Sequence, residues 1–107
     1  MKNERRAHAL LVVGFLALAF FTYRHSLGGT YVADDWSYLV ANPYVQELSL
    51  ANVAAVLDPD GEPVRYVFNY APVPLLLHAV QLAVFGEQLA WHRAVQIALH
   101  VGVALLL

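Results

Sequence analysis

Ala7-His8-Ala9-Leu10-Leu11-Val12-Val13-Gly14-Phe15-Leu16-Ala17-Leu18-Ala19-Phe20-Phe21-Thr22-Tyr23 is an uncharged run preceded by Lys2, Arg5 and Arg6 and closed by Arg24. A run of this length and apolarity is the signature of a membrane-crossing helix, because a hydrocarbon core offers the backbone no partner but itself. Its seventeen residues rise about 25 Å at 1.5 Å each, a little short of a core of about 30 Å, so the flanking arginines must snorkel. A cleaved signal peptide is the competing reading, with a small-x-small site at Ala17-Leu18-Ala19. The apolar run continues past that site through Phe20-Phe21, which favours the retained helix. Either way the following segment is delivered to the far side of the membrane.

Composition agrees. Hydrophobic residues make up 60% of the chain and charged ones 13%, about half the charged share of a soluble domain. The net charge of −2 leaves no basic stripe for nucleic acid. With no cysteine there is no disulfide, thiolate metal site or cysteine nucleophile. The basic cluster before the first span places residues 1–6 in the cytoplasm by the positive-inside bias. The first transmembrane helix is expected over 7–24, and the acid-bearing segment after it faces the periplasm or an equivalent lumen.

Residues 25–71 lose the long apolar runs and gather Gly28-Gly29, Asn42-Pro43, Asp58-Pro59-Asp60-Gly61 and Glu62-Pro63, which are loop and turn signals. Within this outer loop the pattern predicts a short helix over Asp34 to Val40, ended by Asn42-Pro43, and another over Ser49 to Leu57 with Ser49 as its N-cap. The segment Asp58 to Pro63 reads as a turn, lacking the ligand repeat of a calcium loop. Residues 72–86 form a helix opened by Pro72 and Pro74 and stopped by Gly86. It is too short to span, and His78 and Gln81 share one face, so it is expected to lie in the membrane interface. A second transmembrane helix runs over 89–107. His92, Arg93, Gln96 and His100 fall within about one 100° arc of it, a stripe that faces protein or a water-filled cavity. His78, His92 and His100 lack metal-site spacing.

The loop holds an adjacent acid pair, Asp34 and Asp35. Carboxylates near a membrane surface accept protons from hydroxyls or hold a divalent ion, here Mg²⁺ or Mn²⁺. The plainer reading of Asp34 is an N-cap for the short helix that follows it.

The order of apolar helix, Asp34-Asp35-x-x-Tyr38, Asn42-Pro43-x-Val45, Tyr70-Ala71-Pro72-Val73 and Arg93-x-x-Gln96-x-x-x-His100 resembles the N-terminal part of membrane glycosyltransferases of the GT-C fold. It is most similar to the transmembrane and tetratricopeptide-repeat-containing O-mannosyltransferases and their bacterial relatives. The likeness spans residues 7 to 107, with departures at Ala71, where that family has Arg, and at Arg93 and Gln96, where it has His and Asn. The resemblance implies an all-α membrane protein that moves a sugar from a polyprenyl-phosphate donor to a hydroxyl of a protein or glycan acceptor. It implies Asp34 as catalytic base and Asp35 as the group that orients the acceptor or helps hold a cation. Tyr38, Tyr70, Arg93, Gln96 and His100 would contact substrate, with Arg93 or His100 balancing the carrier phosphate. The implied location is a bacterial inner membrane. Because the chain stops inside the apolar run Val101 to Leu107, it is expected to be one portion of such an enzyme. The alternative is a small non-enzymatic membrane protein whose loop scaffolds a partner.

Overall fold

The computed structural model describes residues 1–107 and is helical throughout, without a strand. Two of its helices are long and apolar enough to cross a membrane. The chain divides into two compact units, one made of Met1–Gly29 with Leu89–Leu107 and the other of Thr30–Gln88.

The first unit pairs the two long helices. Helix α1 covers Lys2–Tyr23 and continues as a tighter 3₁₀ turn over Arg24–Gly28. It begins five residues before the apolar run, because Lys2, Glu4, Arg5 and Arg6 are good helix formers. Its 22 residues rise about 33 Å, enough for a hydrocarbon core. None of its side chains is buried, and Leu16, Ala19 and Phe20 are half-covered at helical spacing. Leu89–Leu106 forms the long helix that packs on α1 and on the 3₁₀ turn.

The second unit has a core of its own. A wide i→i+5 turn over Trp36–Val40 leads to α2 (Pro43–Gln46), α3 (Leu50–Leu57), α4 (Pro63–Val67) and α5 (Pro72–Phe85). The Leu89–Leu106 helix is α6. Val45, Val56, Val67, Leu75 and Ala79 pack together, flanked by Tyr38, Tyr44, Leu76 and Leu82. Helix α5 therefore supplies part of the core of the segment that precedes it.

Local chemistry explains the boundaries. The helical turn ends at Val40, just before Asn42-Pro43 as expected, and Asn42 also starts the next helix: its Oδ1 accepts the Tyr44 N–H at 3.1 Å, with Pro43 at the first helical position. Ser49 caps α3 by accepting from the Asn52 N–H at 3.2 Å. Pro63, expected to lie in a turn, opens α4, which ends at Phe68 in the left-handed conformation (φ 58°). Helix α5 stops at Gly86, whose φ of 61° suits glycine and whose N–H bonds the Leu82 carbonyl at 2.9 Å.

Bonds between distant residues then lock the unit. Tyr70 donates its hydroxyl to the Leu57 carbonyl at the end of α3 (2.9 Å), and Tyr38 donates to Asn69 Oδ1 (3.1 Å). The Tyr31 hydroxyl donates to the Glu87 carbonyl at 2.8 Å, joining the beginning of the unit to its end. Burial, then the charges of Glu87 and Asp35, raise the Tyr31 pKa.

Charge is segregated between the units. Lys2, Arg5, Arg6, Arg24 and Arg93 stand against Glu4 in the first. Asp34, Asp35, Glu47, Asp58, Asp60, Glu62 and Glu87 stand against Arg65 in the second. The membrane-length helices thus carry the basic residues, and the inserted unit carries nearly all the acid.

Tyr44 donates its hydroxyl to Glu62 and sets its ring edge-on to Tyr66 at 5.8 Å. The hydrogen bond to Glu62, then burial and the Glu62 charge, hold the Tyr44 hydroxyl above the ordinary tyrosine range. Because the neutral form is the favoured one, this contribution is fully present below pH 10 and is lost as pH rises through the folded-state value. In an alkaline titration of phenolate absorbance, Glu62→Gln is expected to move one late-ionising tyrosine back toward the ordinary range. An unchanged curve would show that Tyr44 does not feel Glu62.

Candidate functional site

The turn that carries the two acids is built by an unusual backbone. Ala33 takes a left-handed conformation with φ 48°, which costs a residue with a Cβ about 1 kcal/mol or more. The turn is held by Asp35, whose Oδ2 accepts the Val32 N–H at 3.0 Å while its own N–H donates to the Val32 carbonyl at 3.0 Å. Asp35 is half-buried and Asp34 is exposed. The Asp34 carbonyl accepts from Tyr38 N–H at 2.9 Å and from Ser37 Oγ at 3.1 Å, whereas its carboxylate makes no bond within the chain. Asp34 does not form the expected N-cap: the cap position of the Trp36–Val40 turn is Asp35, and its carboxylate bonds back to Val32 without capping the turn. One acid holds the turn and the other is presented to solvent.

Tyr38 and Tyr70 go to different partners, Tyr38 to Asn69, a residue that nothing in the local pattern singled out. Tyr38 bonds Asn69 through its hydroxyl and presents its ring to His78, edge-on at 6.2 Å. Tyr70 turns its hydroxyl to the α3 terminus. Both hydroxyls donate to protein acceptors, so the contacts seen for these two tyrosines are structural.

The α5 polar pair departs from expectation. Gln81 is buried and His78 half-buried, so the face they share is turned inward.

In the first unit, Arg93, Gln96 and His100 line one cavity of about 300 Å³ together with Tyr23, Ser26 and Ile97. Ser26 donates its hydroxyl to the Tyr23 carbonyl at 2.7 Å. No carboxylate lines this cavity, so its chemistry suits an anion or a polar neutral group. Tyr23, the last residue of α1, and Ser26, in the 3₁₀ turn after it, were not legible as site residues, because only the packing of α6 on this end of the first helix brings them to the Arg93 face. His92, from the same helical arc, is absent from the lining and is 1% exposed.

No group of three or more His, Asp or Glu side chains is arranged to hold a metal ion. No family model, no curated protein and no solved structure matches the chain.

Proposed function

We propose that this chain is the N-terminal portion of a polyprenyl-phosphate-sugar-dependent glycosyltransferase, mannosyltransferase-like, acting at the extracytoplasmic face of a bacterial inner membrane. The observation that carries this reading is the exposed Asp34 carboxylate on a turn that Asp35 holds in a left-handed backbone. Backbone strain of this kind persists where a side chain must be presented in one direction.

In the proposed reaction Asp34 takes the proton from the acceptor hydroxyl. The acceptor oxygen forms its bond to the anomeric carbon of the sugar as the bond from that carbon to the carrier phosphate oxygen breaks, and the phosphate leaves with the electron pair. Arg93, Gln96 and His100 are assigned to the carrier phosphate, supported by the cavity they line. Asp35 is assigned to holding the Asp34 turn. Tyr38 and Tyr70 are assigned to the frame of the second unit. Transfer rates of Asp34→Asn and Asp35→Asn enzymes test the assignment, with full activity in Asp34→Asn overturning it.

A second reading, a non-enzymatic scaffold, is favoured by the engagement of the Tyr38 and Tyr70 hydroxyls in the fold. Under it, Asp34→Asn is silent.

The proposed orientation has its own test. The chain has no cysteine, so single cysteines report cleanly. One at the exposed Asp60 is expected to react with an impermeant thiol reagent added outside intact cells, and one at Asn3 is not. Gly61 is the wrong position for the probe, since a Cβ there would lie 2.6 Å from the Ala55 carbonyl oxygen. The reverse labelling pattern would overturn the orientation.

A further inference from the structure

Helix α5 is apolar on two opposite sides. Leu75, Ala79 and Leu82 pack into the core of the second unit. Val73, Val80 and Val84 are 74%, 47% and 68% exposed, and at 100° per residue they fall within about 40° of one another on the opposite side. His78 and Gln81 occupy the flank between and are turned inward. A helix that offers apolar residues to two opposite sides is one covered on both. The valine face is therefore expected to be covered too.

Three observations select lipid as the cover. First, Tyr31 and Glu87 join the beginning and the end of this unit at 2.8 Å, and on both sides the chain continues into a helix of membrane-crossing length. Second, only Gly86, Glu87 and Gln88 separate the end of α5 from the start of α6, a tether of about 14 Å at full extension. Third, α5 carries no charged residue although the unit holds seven acids and Arg65, so an occupant recognised by charge finds nothing on this face.

We infer that the second unit rests on the membrane surface through α5, with Val73, Val80 and Val84 inserted at the boundary between headgroups and acyl chains. The valines supply apolar contact that salt does not screen, and the acids remain on other elements. The docking uses the membrane reading of α1 and α6 and is independent of any role for Asp34.

The test uses the full chain with single cysteines at Val80, Val84 or the 89%-exposed Leu50 of α3. Each is labelled with an environment-sensitive fluorophore and reconstituted into phosphatidylcholine vesicles in which part of the lipid is brominated high in the acyl chain. Labels at 80 and 84 are expected to shift to the blue, to be quenched by brominated lipid and to be shielded from aqueous iodide, at low and high salt alike. The label at 50 is expected to behave oppositely. Iodide quenching at 80 and 84 equal to that at 50, in chains that resist carbonate extraction, would overturn the docking alone. Shielding from both quenchers would also overturn it, by showing that protein covers the face; energy transfer between labelled copies that falls on dilution with unlabelled chain would identify a second copy. A chain released by carbonate would overturn the membrane reading itself.

Discussion

Asp34→Asn in an active assembly containing this chain is expected to lower sugar transfer by about 10² to 10⁴-fold, the usual cost of removing a general base. The substitution keeps the shape of the side chain and leaves the backbone bonds of residue 34 to Tyr38 and Ser37 in place. Donor binding is accordingly expected to stay unchanged, so the loss should appear in kcat and not in the affinity for the carrier. Asp35→Asn has a different expected profile. An amide oxygen still accepts the Val32 N–H, but a neutral acceptor gives a weaker bond than a carboxylate. The left-handed Ala33 is then less firmly held, and a partial loss of rate is expected, smaller than at Asp34. If Asp35→Asn abolished transfer and Asp34→Asn did not, the roles would be exchanged. If neither mattered, the scaffold reading would stand.

Leu75→Ala is expected to destabilise the second unit by about 2 to 5 kcal/mol, the range for emptying a buried leucine site. Leu75 is 2% exposed and joins Val45, Val56, Val67 and Ala79 in a core of five side chains. Few neighbours are available to collapse into the space. A typical domain has only about 5 to 15 kcal/mol in hand, so this change is expected to expose α2 to α4 to protease while the α1 and α6 pair stays helical. Leu50→Ala, at an 89% exposed position, is the control and is expected to stay within about 0.5 kcal/mol of the parent. Equal protease resistance of the two variants would show that Leu75 is not a core residue.

Much of the architecture was legible before any coordinate. The two membrane-length helices follow from apolar runs, uncharged in the first and interrupted only by Arg93 in the second, which depend on nothing beyond neighbouring residues and the backbone's need for internal hydrogen bonds. The stop at Gly86 and the Ser49 cap are likewise local: each is a side chain or a φ preference acting within a turn. The grouping of Arg93, Gln96 and His100 follows from helical period alone. Asn42-Pro43 was legible as the end of the turn that stops at Val40, but the same pair also opens α2, and only the chain's path after it shows that second role.

What tertiary structure decided lies at larger separation or turns on a choice between equals. Asp34 and Asp35 are identical in type and adjacent, so sequence could not say which would hold the turn; the left-handed Ala33 directs the Asp35 carboxylate to Val32 and leaves Asp34 in solvent. Tyr38 reaches Asn69 across 31 residues and Tyr31 reaches Glu87 across 56, pairings set by packing that leave no periodic trace. The direction of α5 was decided the same way. Its sequence offers apolar residues to either side, and the core formed by Val45, Val56 and Val67 took the Leu75 side, leaving Val73, Val80 and Val84 outward. Sequence alone determined which segments avoid water, because that is a property of each side chain. Which acid is presented and which apolar face stays open depended on partners brought from elsewhere in the chain, and only the fold supplies those.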